Sequence, residues 1–165
     1  MRIAFIALLL ATSAFAQGPQ AATTACGPED ASFVVKLDTS QHTLSPSDPG
    51  KAQVYFIQEK GADTFAATTR FGLDGAWVGA NKNNSYFTVS VEPGEHHVCA
   101  NVQSFRGHLL GLVHFTAEAG KIYYFDAQII YGEESKPHLF LAAADSDQAM
   151  YLIESFPLSV STPKK

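Results

Sequence analysis

Several things are scarce in this chain, and each scarcity excludes something. Among 165 residues there are two cysteines, one tryptophan and two methionines. Two cysteines allow a single intramolecular bridge, so a disulfide-dense scaffold is excluded. The apolar run IAFIALLLA at residues 3–11 falls short of the roughly 20 residues that a membrane-spanning helix needs. Lys and Arg number 11 against 16 Asp and Glu, and they are scattered rather than clustered, which argues against a nucleic-acid surface. No G-x-S-x-G, H-E-x-x-H or Gly-rich phosphate loop occurs. No repeat with a period of about 20 to 50 residues points to a solenoid or propeller.

What is present begins with MRIAFIALLLATSAFA. Arg2 gives a positive end, the apolar run follows, and Ala14-Phe15-Ala16 is a small-x-small cleavage site. Residues 1–16 therefore read as a secretory signal, with no transmembrane span left after cleavage. Residues 17–31 have no apolar period and two Gly-Pro steps, and read as a flexible leader. Residues 159–165 read as a flexible tail. Between them lies one domain, 32–158, because the chain that remains is long enough for one core and short for two.

Cys26 admits three fates in an exported chain. Lipidation would need a leucine-type residue three places earlier, where Thr23 stands, and about ten small or polar residues separate Cys26 from the apolar run. A disulfide between Cys26 and Cys99 is the favoured expectation, since exported cysteines tend to oxidise. A buried free Cys99 with an unattached Cys26 is the alternative.

The chain between these ends writes strands. SFVVKLD at 32–38 and AQVYFIQE at 52–59 are rich in β-branched and aromatic residues. Asp74-Gly75 suits both central positions of a type I′ turn, and Pro93-Gly94 suits a type II turn. In residues 85–91, SYFTVSV, Phe87, Val89 and Val91 share one face while Tyr86, Thr88 and Ser90 share the other. Residues 95–102, EHHVCANV, place Val98, Ala100 and Val102 on one face with His97, Cys99 and Asn101 opposite. Residues 112–118 and 121–131 read as a pair across Ala119-Gly120. The second of these is apolar on both faces, which predicts a central strand. After PHLFLAA at 137–143 the period changes: Asp145 can cap a helix, and Ala149, Leu152, Ile153 and Phe156 recur at helical spacing before Pro157. A further strand, MYLIESF, is the competing reading of that last segment. The fold class expected is mainly β, an antiparallel β-sandwich of about seven strands with one short C-terminal helix.

Candidate chemistry is sparse. His97 and Cys99 share a strand face, and with His114 from a neighbouring strand they could supply imidazole and thiolate ligands to zinc or copper. As a nucleophile and base, His97 and Cys99 are poorly spaced, because alternate strand residues sit about 6.5 Å apart and proton transfer needs about 3 Å. Trp77 and Tyr86 could form an aromatic platform for a sugar or peptide. Glu133-Glu134 reads as a solvated loop, and Arg106-Gly107-His108 as a loop tip able to touch a partner. No cofactor is implied.

AQVYFIQ, LDGAWVG, NNSYFTVSVEPGEHHV and FTAEAGKIYYF occur in this order between Lys51 and about Ser155. Through them the chain resembles the bacterial exported family known as domain of unknown function 2846. The motif logic is also similar to PEGA-like and transthyretin-like β modules. The resemblance implies a compact β-sandwich at the cell envelope, exported or lipid-anchored, and it brings no catalytic residues to carry over. Glycine permits the left-handed turns of these motifs, which reads them as fold signatures.

These features together predict a non-catalytic, periplasmic or secreted module that binds an envelope protein, with no nucleic-acid partner. A small-ligand binder, for glycan or metal, is the alternative, and a hydrolase is disfavoured.

Overall fold

The computed structural model describes residues 25–40, 44, 46–60, 67–103, 109–131 and 137–164. Its strands are β1 (Phe33–Asp38), β2 (Ala52–Glu59), β3 (Thr68–Leu73), β4 (Ala76–Lys82) and β5 (Ser85–Val91). They continue with β6 (Gly94–Val102), β7 (Leu110–Ala117), β8 (Ile122–Tyr131), β9 (Pro137–Ala143) and, after the helix α1 (Ser146–Ser155), β10 (Leu158–Pro163). Two sheets stack as a sandwich. The larger has six strands in the order β1-β10-β5-β2-β8-β9, and the smaller has four in the order β4-β3-β6-β7.

The larger sheet is organised by β2, which is buried from Ala52 to Gln58. Val54 and Phe56 face the space between the sheets, where Phe71, Phe87 and Phe125 meet them. Tyr55 and Ile57 face outward and are covered, with Tyr86 and Tyr124, by Ala149, Leu152 and Ile153 of α1. A strand buried on both faces needs apolar residues at both parities, and the AQVYFIQ motif has them.

The helix forms where its period indicates. Asp145 Oδ1 accepts from the backbone N–H of Asp147 at 2.9 Å and of Gln148 at 3.4 Å, satisfying two donors of the first turn. The strand reading of MYLIESF is thereby set aside.

Asp74 and Gly75 take φ of 50° and 83°, and their turn joins β3 to β4 as a hairpin. The turns at Pro93-Gly94 and Ala119-Gly120 do something else. Each carries the chain from one sheet to the other, β5 to β6 and β7 to β8. The expected pairing of 112–118 with 121–131 is thus corrected: β7 pairs with β6, and β8 pairs with β2 and β9. Turn chemistry reverses the chain direction without choosing the partner strand. The FTAEAGKIYYF motif closes its corner with Tyr123, whose hydroxyl accepts from Glu118 N–H at 3.0 Å.

Three further differences follow from tertiary pairing. The expected all-antiparallel sandwich has a parallel pair at its centre, β2 with β8, running from Gln53–Ile122 to Glu59–Gln128. Ten strands form where about seven were expected. The residues expected as a tail, 159–165, include all of β10 but Leu158, and β10 pairs with the whole of β1 and offers Ser161 Oγ to Ala80 N–H at 3.1 Å. LSVSTP has little apolar content of its own, and this docking orders it.

Candidate functional site

Residues 25–31 lie across the outer face of the smaller sheet, so this part of the expected leader is docked; 17–24 fall outside the described residues. Gly72 makes the docking fit, because a Cβ there would come within 2.6 Å of the Ala25 carbonyl oxygen. Beside it Cys26 is joined to Cys99, with Cα atoms 5.2 Å apart. A register shift between Phe71 and Gly72 sets Trp77 opposite Gly72. The Trp77 indole N–H donates to the Pro28 carbonyl at 2.7 Å. The Arg70 guanidinium sits 4.2 Å above that ring and donates to the carbonyls of Glu29, at 2.9 Å, and Ala31. Burial lowers the Arg70 pKa, with Glu29 and Asp30 opposing, yet arginine stays charged.

The aromatic platform is therefore corrected. Trp77 is engaged by the chain's own N-terminal strap, and Tyr86, 1% exposed, lies beneath α1 on the other sheet. The two rings sit on opposite sides of the sandwich. The metal set is corrected in part: Cys99 is oxidised and offers no thiolate, while His97 and His114 are brought directly opposite each other. No group of three or more His, Cys, Asp or Glu suited to a metal occurs among the described residues. Glu133, Glu134, Arg106, Gly107 and His108 fall outside the described residues.

Between the two signature turns stands His96, within the PGEHHV motif, which sequence reasoning did not single out. His96 Nδ1 lies 2.6 Å from Asp74 Oδ2 and its Nε2 lies 2.7 Å from the Glu92 carbonyl. Its ring also packs on Phe115, 5.4 Å between centroids. Asp74 Oδ1 accepts the His97 backbone N–H at 2.8 Å, and the Asp74 N–H donates to the His97 carbonyl at 3.0 Å. One carboxylate thus fastens the hairpin tip to the start of β6.

The outer face of the larger sheet carries the other polar cluster. α1 covers its centre, and toward β9 the face is open. There Gln128 Nε2 donates to both Asp126 Oδ2, at 2.6 Å, and Glu59 Oε1, at 2.9 Å. Asp126 Oδ1 is buried with no hydrogen-bond partner among the described residues. Burial, then the charge of Glu59, pushes the Asp126 carboxyl up to about 7, against the opposing bonds from Gln128 and the Ala127 backbone. Alongside, Phe140 and Ile130 are 54% and 47% exposed, too much for core residues. They sit on neighbouring strands one diagonal step apart, since Gln128 faces Phe140 and Ile130 faces His138. Sequence reasoning missed this site. Its one signal was Asp126 and Gln128 at alternate positions, one face of an otherwise apolar strand.

A groove of about 260 Å³ opens at one end of the sandwich, between His114 and Phe115 of β7, Ile122 and Tyr123 of β8, and Ser146 of α1. Its walls are mostly apolar.

The sequence profile of the family described as protein of unknown function (DUF2846) matches residues 48–138. The chain belongs to this family, and the matched span runs from the loop before β2 to the start of β9. No curated protein and no solved structure matches the chain. The disulfide is compatible with export, and no helix among the described residues is long and apolar enough to cross a membrane.

Proposed function

We propose that this chain is an exported, non-catalytic binding module that engages a protein at the cell envelope through the open half of its larger sheet. The observation that carries the reading is the pairing of exposed Phe140 and Ile130 beside the Glu59, Asp126 and Gln128 cluster. Large apolar side chains exposed side by side, next to carboxyl groups, suit a partner segment with apolar residues and a basic one. β9 is the terminal strand of its sheet, so an extended partner segment could add to that edge, with Phe140 giving specificity. The N-terminal signal pattern and the Cys26–Cys99 bridge support export.

Crosslinking capture from native envelope extract tests the reading when wild type is compared with a Phe140→Glu, Ile130→Glu variant. A specific partner captured by wild type and lost by the variant is expected. Equal capture by both would contradict the proposed surface. The apolar groove beside His114 favours a second reading, a small apolar ligand, which a thermal-shift screen would detect as a raised Tm.

A further inference from the structure

The smaller sheet carries an arrangement that the binding surface on the larger sheet does not use. His97 and His114 are direct partners in the antiparallel register of β6 and β7, and both side chains are exposed. The backbone of His97 is turned toward β3, where its carbonyl accepts from Asp74 N–H and its N–H donates to the Asp74 carboxylate. Between β6 and β7 the two histidines are therefore a non-hydrogen-bonded pair, the class whose Cα atoms approach to about 4.5 Å and whose side chains are closest. Their ring centroids are 6.4 Å apart, with ring planes inclined by 43°.

We propose that His97 and His114 form a two-imidazole site for a divalent transition-metal ion of the zinc class, with water completing the coordination sphere. A metal about 2.0 to 2.1 Å from one nitrogen of each ring holds the ring centres roughly 5 to 6.4 Å apart, so small side-chain rotations bring the pair into range. Imidazole nitrogen suits zinc, whose filled d shell imposes no geometry of its own. Exposure leaves the remaining coordination positions open to water. The backbone under the site is fixed on both sides, by β7 and by Asp74, so part of the ordering cost is met before the metal arrives. Glu95, opposite Thr116, is the next outward residue on β6 and adds negative charge on the same face. On the other side Cys99 is held in its disulfide and leaves the ion to the imidazoles.

Zinc titration of the full, oxidised chain by calorimetry, without reductant, tests the site. Binding of one zinc per chain is expected, weakened by more than about tenfold in His97→Gln and again in His114→Gln, and unchanged in His138→Gln. The imidazole NMR signals of His97 and His114 should shift together on titration, a response that a structural role would not give. No binding up to about 1 mM zinc, or binding that His97→Gln and His114→Gln leave intact, would overturn the proposal.

Discussion

Asp74 Oδ2 lies 2.6 Å from His96 Nδ1, and through this contact the two turns of the family signature are fastened to each other. The DG turn and the PGEH turn are thus two halves of one device. Both ring nitrogens of His96 face acceptors, which only the doubly protonated imidazolium can satisfy by donating from each.

That relationship makes stability depend on pH. Burial works against the charged ring, but Asp74 and the Glu92 carbonyl outweigh it, and His96 is held above the ordinary histidine value. A raised folded-state pKa contributes stability fully below about pH 6.5 and loses it as pH rises through the folded value. His96→Gln should cost about 1 kcal/mol near pH 6 and less at alkaline pH, the exposure of Asp74 keeping the figure small. Urea denaturation across this range checks it: the wild-type curve should fall with pH and the variant's should be flatter.

Asp126 predicts a second slope of the same sign. Its carboxyl is raised to about 7, so the folded chain holds a proton that the unfolded chain has released, and stability falls as pH rises from about 4 to 7. Asp126→Asn, which keeps a neutral group beside Gln128 and Glu59, should stabilise the protein above pH 7 by about 1 to 3 kcal/mol. Melting curves at acid and neutral pH would show the difference between variant and wild type widening toward neutrality.

The strap gives a third. Cys26 and Cys99 are 73 residues apart, and releasing a loop of that length returns about 4 kcal/mol of chain entropy to the unfolded state. Replacing both with serine should lower stability by that order. The strap should then become cleavable near Pro28 by added protease at a rate that mass spectrometry of the fragments can follow.

Gly72 bears on the same contact from the other side. A methyl group there would press on the Ala25 carbonyl and approach Cys26 Cα to 3.0 Å, so Gly72→Ala should lift the strap from the sheet. Thiol labelling of unreduced protein should find free cysteine in this variant and none in wild type.

What could be read from the sequence was whatever local chemistry decides. Asp145 ahead of Ala149, Leu152 and Ile153 gave the helix, because a cap and a period are both local. Asp74-Gly75 gave the hairpin for the same reason. Pro93-Gly94 and Ala119-Gly120 announced turns, but whether the strands on either side pair or part company between two sheets depends on distant partners. Residues 25–31 and 158–163 are ordered by contacts with Arg70, Trp77 and β1, none of which their own composition reveals. At the candidate site, Asp126 was hidden by its apolar neighbours. The exposure of Phe140 was not legible because alternation on a strand does not say which face a helix will cover.

Protein binding by the open half of the larger sheet is open to a direct test, a photo-crosslinking residue placed at Phe140 in living cells. A discrete adduct of one partner is expected from position 140 and none from Thr116 on the opposite sheet. No adduct from position 140, or the same adduct from both positions, would contradict it.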